Sequence, residues 1–156
     1  MTSIQGTLVA LRGVLLLLAV LAGVPGCGDD GPGGAGTDYD VEVWVTGEAE
    51  RFGALQFTIT HLGASGEFLG RGDKVDCTPL VEAISAANNM GERTVTVGFI
   101  SVAGVRIPAP ILRCGFRTTE ALEPSSFETR VTDASDTSSR PLDPLPTVSI
   151  SSVTER

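Results

Sequence analysis

Apolar and polar residues alternate along much of the chain beyond residue 38. Every second side chain is apolar in residues 39–45 and 55–59, and the same period returns in residues 95–99, 112–116 and 127–131. Because successive side chains of a strand point to opposite faces of its sheet, this period predicts strands with one buried face. The predicted inward-facing residues are Tyr39, Val41, Val43, Val45, Leu55, Phe57, Ile59, Val95, Val97, Phe99, Leu112, Cys114, Phe116, Phe127, Thr129 and Val131.

The order of these segments predicts a single all-β domain over residues 38–156. The predicted strands recur between clusters of Gly, Pro, Asn and Asp, and a β-rich segment at residues 147–153 ends the series. Recurring short strands separated by turn residues are typical of a β-sandwich. Residues 80–89 are the one stretch whose pattern also allows a helix, and its turn signals leave that alternative open.

The first 26 residues have the layout of a secretory signal peptide. Arg12 is the one basic residue there, an apolar run follows in residues 14–24, and Pro25 and Gly26 end the run. The run is about half of the roughly 20 residues that a membrane-spanning helix needs. We therefore expect residues 1–26 to direct secretion. A buried core helix is the alternative.

The segment Val24-Pro25-Gly26-Cys27 resembles the lipobox of bacterial lipoproteins. This resemblance implies cleavage after Gly26, acylation of the Cys27 thiol and a lipid anchor at the new N-terminus. Gly28 rather than an aspartate follows the cysteine, which by resemblance to known sorting signals favours the outer membrane over the inner one. Ordinary cleavage nearby, leaving Cys27 as a free thiol, is the alternative.

A glycine-rich segment separates Cys27 from the predicted domain. Residues 28–36 contain two aspartates and almost no apolar side chains. This composition buries too little apolar surface to offset chain entropy, so residues 27–37 are predicted to form a flexible tether. A coil of this length separates its ends by roughly 15 to 20 Å.

The charge of the chain argues against two classes of partner. The sequence has 11 basic and 19 acidic residues, a net charge of −8 at pH 7, and no basic cluster. An acidic domain repels phosphate polymers, which argues against nucleic acid and against anionic lipid as a surface ligand. Contact with the membrane is therefore expected through the N-terminal lipid.

The chain has three cysteines, of which Cys27 is assigned to the lipid. Cys77 and Cys114 remain as a pair in an oxidising compartment, so we expect a disulfide between them, across the sandwich. Zinc is a poor alternative because the chain has one histidine, His61, and no Cys-x-x-Cys motif.

Five segments of the predicted domain follow an order found in one family of β-sandwiches. They are residues 52–59, where a small residue and an aliphatic precede Gln-Phe, and residues 67–70, 95–101, 111–116 and 146–150. These segments resemble the strands of cohesin-like and related carbohydrate-binding modules. The resemblance implies a nine-stranded jelly-roll sandwich with a binding or scaffolding role and no reaction.

Few side chains are candidates for chemistry. His61 follows a predicted strand on its polar side, and no nucleophile has a visible base, so we expect no catalytic activity. Asp133 and Asp136 are candidate calcium contacts, but Ca²⁺ needs about six to eight oxygens, which favours an Asx-type turn instead. Trp44 and Tyr39 are candidate contacts for a sugar ring, and packing within the protein is the alternative for Trp44.

Taken together, the residues predict a lipid-anchored module of the cell envelope that binds a protein or acts as a scaffold through a surface of its sandwich. No cofactor is expected. A carbohydrate-binding module of the envelope, with Trp44 and Tyr39 on the glycan, is the alternative function.

Overall fold

The domain is built from β-strands. The structure, a computed structural model, describes residues 36–91 and 93–156. These residues form eleven strands and a short 3-10 turn at Pro124–Ser126, and they contain no α-helix. The strands are β1 (Thr37–Thr46), β2 (Arg51–His61), β3 (Glu67–Phe68), β4 (Gly70–Arg71), β5 (Lys74–Val75), β6 (Cys77–Pro79), β7 (Ile84–Gly91), β8 (Thr94–Arg106), β9 (Ala109–Thr118), β10 (Phe127–Ser135) and β11 (Thr147–Glu155).

Two antiparallel sheets pack against each other, which confirms the predicted β-sandwich. Sheet A has the order β11-β1-β9, and the short strands β3 and β6 both pair with the remaining edge of β9. Sheet B has the order β10-β2-β8-β7-β5-β4. Strand β1 begins one residue before the predicted start of the domain, at Thr37.

The core lies between the sheets and contains the predicted alternating residues. The largest fully buried side chains are Phe52, Phe57, Phe99, Phe116, Ile59, Ile111, Leu112, Val41, Val43, Val45, Val95 and Val97. Burying one such side chain contributes about 1.5 to 3 kcal/mol. Tyr39, Thr129 and Val131 of the predicted set are only half-buried, because they lie near the start of β1 or on the edge strand β10.

Residues 84–91 form a strand, so the helix allowed by the sequence at residues 80–89 is wrong. Strand β7 pairs with β8 from Ile84 opposite Ile100 to Gly91 opposite Thr94. The side chains that β7 turns inward include Ser85 and Ala87, which are small and give the strand no apolar period. Pairing with β8 therefore decides the conformation of this segment.

The disulfide between Cys77 and Cys114 is present, as predicted, but it does not cross the sandwich. The two cysteines lie directly opposite each other on β6 and β9 of sheet A, with their Cα atoms 4.1 Å apart. Their sequence separation is 37 residues. Closing such a loop stabilises a fold by about 4 kcal/mol in the chain-entropy model. The bond therefore fixes the three-residue strand β6 to the edge of sheet A.

The sandwich has two distinct ends. At the tether end, β1 begins with Thr37 opposite Thr118 of β9. At the turn end, β8 and β9 are joined at residues 107–108, and Val45 of β1 lies opposite Ala109. The predicted tether therefore joins the domain at the end away from the β8–β9 turn.

Candidate functional site: the outer faces of the two sheets

The outer face of sheet A carries a row of ion pairs. Three acidic residues of β1 each contact an arginine of a neighbouring strand or of the C-terminus. The pairs are Asp38 with Arg117 (2.6 Å), Asp40 with Arg156 (2.6 Å) and Glu42 with Arg113 (3.2 Å). The hydrogen bond from Arg117 lowers the pKa of Asp38 below its usual value. These opposite charges compensate each other at a hydrated surface, where such pairs contribute little to stability.

Trp44 lies on the same face and is hydrogen-bonded to Glu42, a member of this row of ion pairs. Its indole N–H donates a hydrogen bond of 2.9 Å to the Glu42 carboxylate, and the side chain is half-buried. That bond, followed by the one from Arg113, lowers the pKa of Glu42. The ring therefore packs on sheet A with its polar atom already bonded within the protein.

Tyr39 does not share a surface with Trp44. The two residues are five positions apart on β1, so their side chains lie on opposite faces of sheet A. Tyr39 is on the inner face, as Val41 and Val43 are. The structure therefore does not bring together the two aromatic residues predicted as sugar contacts.

The outer face of sheet B has a different composition. We call its central part the neutral face, defined by the outward residues of β2, β7 and β8. They are Ala54, Gln56, Thr58, Thr60, Ile84, Ala86, Asn88, Thr94, Thr96, Gly98, Ile100 and Val102. No member of the neutral face is ionisable. Charged residues border this face: Lys74 pairs with Asn88, Asp133 with Gln56, Arg130 with Thr58 and Glu128 with Thr60. Arg51 and Arg106 pair with each other further towards the turn end.

Strand register arranges the neutral face in rows, because residues directly opposite each other on neighbouring strands share a face. The rows, from the turn end towards the tether end, are Ala54-Ile100-Ile84, Gln56-Gly98-Ala86 and Thr58-Thr96-Asn88. Thr60 and Thr94 follow, with their hydroxyl oxygens 3.2 Å apart. Apolar side chains thus lie at one end of the face and hydroxyl and amide groups at the other.

The apolar end of the neutral face is strongly exposed. Val102 is 92% exposed, Ile84 77% and Ile100 57%. Beside them, no atom lies within 4 Å of the position that a Cβ on Gly98 would take. Exposed apolar groups that adjoin one another on a sheet are a common feature of interaction sites.

His61 is not on the polar side of its strand, contrary to the prediction. It continues the inward alternation of Phe57 and Ile59 and is only 3% exposed. Its ring packs between the rings of Phe116 (4.7 Å between centroids) and Phe127 (5.2 Å). Strand β2 continues to His61, and its alternation places the imidazole in the core.

The surroundings of His61 disfavour the charged form of its ring. Burial lowers the pKa of His61, the nearby Glu120 carboxylate partly offsets this, and the Arg93 charge adds to it. Nδ1 has no hydrogen-bond partner among the described residues. Ser65 donates its hydroxyl to Glu120 at 2.9 Å, not to His61, so the cluster lacks the nucleophile-to-base contact that activates a serine.

Asp133 lies on strand β10, and Asp136 lies in the loop that follows this strand. Asp136 accepts backbone N–H groups from Ser138 (2.8 Å) and Arg140 (2.9 Å), and the latter bond is the main cause of its lowered pKa. This arrangement is an Asx-type turn, the interpretation that the sequence favoured. Asp133 lies on β10 opposite Gln56. Within residues 36–91 and 93–156, no three His, Cys, Asp or Glu side chains are grouped to hold a metal ion.

No protein-family model, curated protein or solved structure matches this chain. The resemblance to cohesin-like modules therefore stays a prediction. The predicted signal peptide and Cys27 lie outside the described residues. In the described part of the chain, no helix has the length and hydropathy to cross a membrane.

The neutral face is the feature that reading the sequence missed. The sequence does contain an indication of this uncharged face. Positions 84, 86 and 88 and the even positions from 94 to 102 carry no charged residue. That these positions adjoin one another depends on the pairing of β7 and β2 with β8. The order of strands in a sheet depends on contacts between distant parts of the chain, and hydrophobic periodicity does not report such contacts.

Proposed function

We propose that the protein is a non-catalytic, lipid-anchored module of the cell envelope that binds a protein partner through the neutral face of sheet B. The observation that carries this proposal is the neutral face itself. It presents exposed Ile84, Ile100 and Val102 on a flat sheet within a chain of net charge −8. Partner binding offsets the cost of leaving such side chains in water.

The contrast with sheet A supports the choice of face. The charges of β1 are already paired with arginines, and the Trp44 N–H is already bonded to Glu42. A partner on sheet A would have to desolvate these ion pairs, whereas a partner on sheet B displaces water from apolar and hydroxyl groups. The neutral face is thus the less costly surface to cover.

The position of the tether also supports the proposal. Acylated Cys27 anchors the chain, and the tether joins the domain beside Thr37 at the tether end. Val102 and Ile100 lie towards the turn end. The tether is therefore attached at the end of the domain opposite the apolar end of the neutral face.

The test of the neutral face uses a photo-crosslinking amino acid in the full-length protein in its own membranes. It replaces Ala86 on the neutral face or, as the matched control, Ser149 on the outer face of sheet A; both positions are exposed. We expect a discrete crosslinked protein from position 86 and none from position 149. Crosslinking should disappear with Gly98→Arg, which adds a long charged side chain where there is open space. Equal crosslinking from both positions would contradict the proposal.

The anchor is tested separately by detergent phase partitioning of the wild type and Cys27→Ser. The wild type should enter the detergent phase and the variant should stay in the aqueous phase. If both stay in the aqueous phase, the anchor is wrong.

A further inference from the structure

We propose that the partner on the neutral face is a second copy of this chain, packed face to face about a two-fold axis parallel to the strands. This inference rests on the proposed function and names its partner. A two-fold contact uses the same patch on both copies, so the patch must be complementary to itself. Three properties of the neutral face meet that requirement.

The first property is the order of its rows. An axis parallel to the strands brings each row opposite the same row of the other copy. The row containing Ile84 and Ile100 then meets apolar groups, and the row containing Thr58, Thr96 and Asn88 meets hydroxyl and amide groups. Hydroxyls and amides both donate and accept hydrogen bonds. The groups of such a row can therefore form hydrogen bonds with the same row of the other copy.

The second property is charge. Two copies of a chain with net charge −8 repel each other, and the repulsion is strongest where acidic residues face acidic residues. The neutral face has no ionisable member, so two copies approach at its centre without opposing charges, and the charged residues stay at its borders. A basic partner would instead be drawn to the acidic parts of the domain.

The third property is the location of the tether. Because the axis runs along the strands, both copies have Thr37 at the same end of the dimer. Two chains anchored through Cys27 in one membrane can therefore pair without lifting either anchor. Anchoring also raises the local concentration, which strengthens a contact of modest area.

The open space around Gly98, at the centre of the neutral face, allows a specific test. Gly98 is surrounded by open space and its backbone is not in the left-handed region, so a larger side chain there leaves the core unchanged. Arginine at position 98 in both copies would place two cations near the axis. We expect this change to reduce pairing by about tenfold or more, because like charges in a contact cost several kcal/mol.

The experiment is crosslinking of cysteines in the full-length protein, in its own membranes, with a bismaleimide whose reach exceeds the roughly 10 Å between two packed sheets. Cys77 and Cys114 are already joined, so a cysteine introduced as Ala86→Cys reports contact between copies, and Ser149→Cys is the control. We expect a crosslinked dimer for Ala86→Cys and little for Ser149→Cys. Adding Gly98→Arg should remove the dimer. Producing the Gly98→Arg and Gly98→Glu forms of Ala86→Cys together should restore it, because opposite charges then meet.

The outcomes separate this inference from the proposed function. If Ala86→Cys gives no more dimer than Ser149→Cys, or if Gly98→Arg leaves the dimer unchanged, the second copy is the wrong partner. Photo-crosslinking from position 86 to a different envelope protein would then leave the proposed function in place. Failure of both experiments at position 86 would overturn both proposals.

Discussion

The outer faces of sheets A and B differ in what they offer to a partner, although the same kind of strand builds both. On sheet A, an acidic row is compensated by arginines, and Trp44 packs beside it. At the centre of sheet B, apolar, hydroxyl and amide side chains form an uncharged surface. A hydrated, charge-compensated face keeps a protein soluble, and an uncharged face gives it a place to bind.

Two glycines show the same difference at the level of single atoms. Gly98 lies at the centre of the neutral face with nothing near its missing side chain. Gly115 lies on the outer face of sheet A, where a Cβ would meet Arg156 Nη2 at 3.0 Å and Leu69 Cδ1 at 3.1 Å. One sheet is therefore covered by its own side chains, and the other is left open.

Removal of the disulfide is the change with the largest expected effect. Among the described residues, it is the one crosslink, and it lies within sheet A. Replacing both cysteines by alanine should lower the free energy of unfolding by about 4 kcal/mol, because the unfolded chain loses its constraint. Urea denaturation of the double variant and of oxidised wild type measures the difference. A loss smaller than about 1 kcal/mol would contradict this account of the bond.

Substitution of the two glycines should separate the faces. Gly98→Thr should raise the free energy of unfolding by about 0.5 to 1 kcal/mol, since a β-branched residue in an open strand position loses less entropy on folding than glycine. Gly115→Thr is the matched change on sheet A. It crowds Arg156, which is bonded to Asp40, and should give no gain. Equal gains at both positions would show that the two faces are equally open.

Acidification should affect the core before it affects the ion pairs of sheet A. Burial lowers the pKa of His61 in the folded state, so the unfolded chain binds the proton more readily. The free energy of unfolding should therefore fall as the pH decreases from about 6.5, the ordinary pKa of histidine, towards the lower pKa of the folded protein. Unfolding takes up at most one additional proton over this range. Denaturation curves of the wild type and His61→Leu across this range give the measurement. The variant should lack this dependence, and an unchanged dependence would mean that another group is responsible.

The sequence predicted the strands whose buried side chains are large, and missed those whose buried side chains are small. Leu55, Phe57 and Ile59 give β2 a clear period, whereas Ser85 and Ala87 give β7 none. The two- and three-residue strands β3 to β6 are too short to show any period and exist because longer strands pair with them.

The prediction for His61 was wrong for a related reason. Continuing the alternation of β2 to residue 61 places the imidazole inward, but a polar residue before Leu62 and Gly63 is also typical of a turn. The Phe116 and Phe127 rings that cover it come from β9 and β10, far away in sequence. Their proximity is a consequence of sheet packing, which one strand does not encode.

Trp44 is the single tryptophan of the chain and should report on sheet A alone. Its indole donates to Glu42, whose pKa this bond lowers. We expect a small change in Trp44 emission as Glu42 takes up a proton, with a midpoint below about 4.5, the ordinary value of a glutamate. Glu42→Gln should abolish the transition. A midpoint at or above the ordinary value would contradict the structure of this pair.

Addition of glycans should have the smallest effect on the protein. Its outcome distinguishes sheet A from sheet B as the binding surface. Soluble oligosaccharides from the envelope should leave the emission of Trp44 unchanged, because its N–H is bonded to Glu42 and Tyr39 lies on the other side of β1. Titration of the wild type with each glycan, with Trp44→Phe as the blank, gives the measurement. A saturable shift that Gly98→Arg does not alter would assign binding to sheet A and the neutral face to another use.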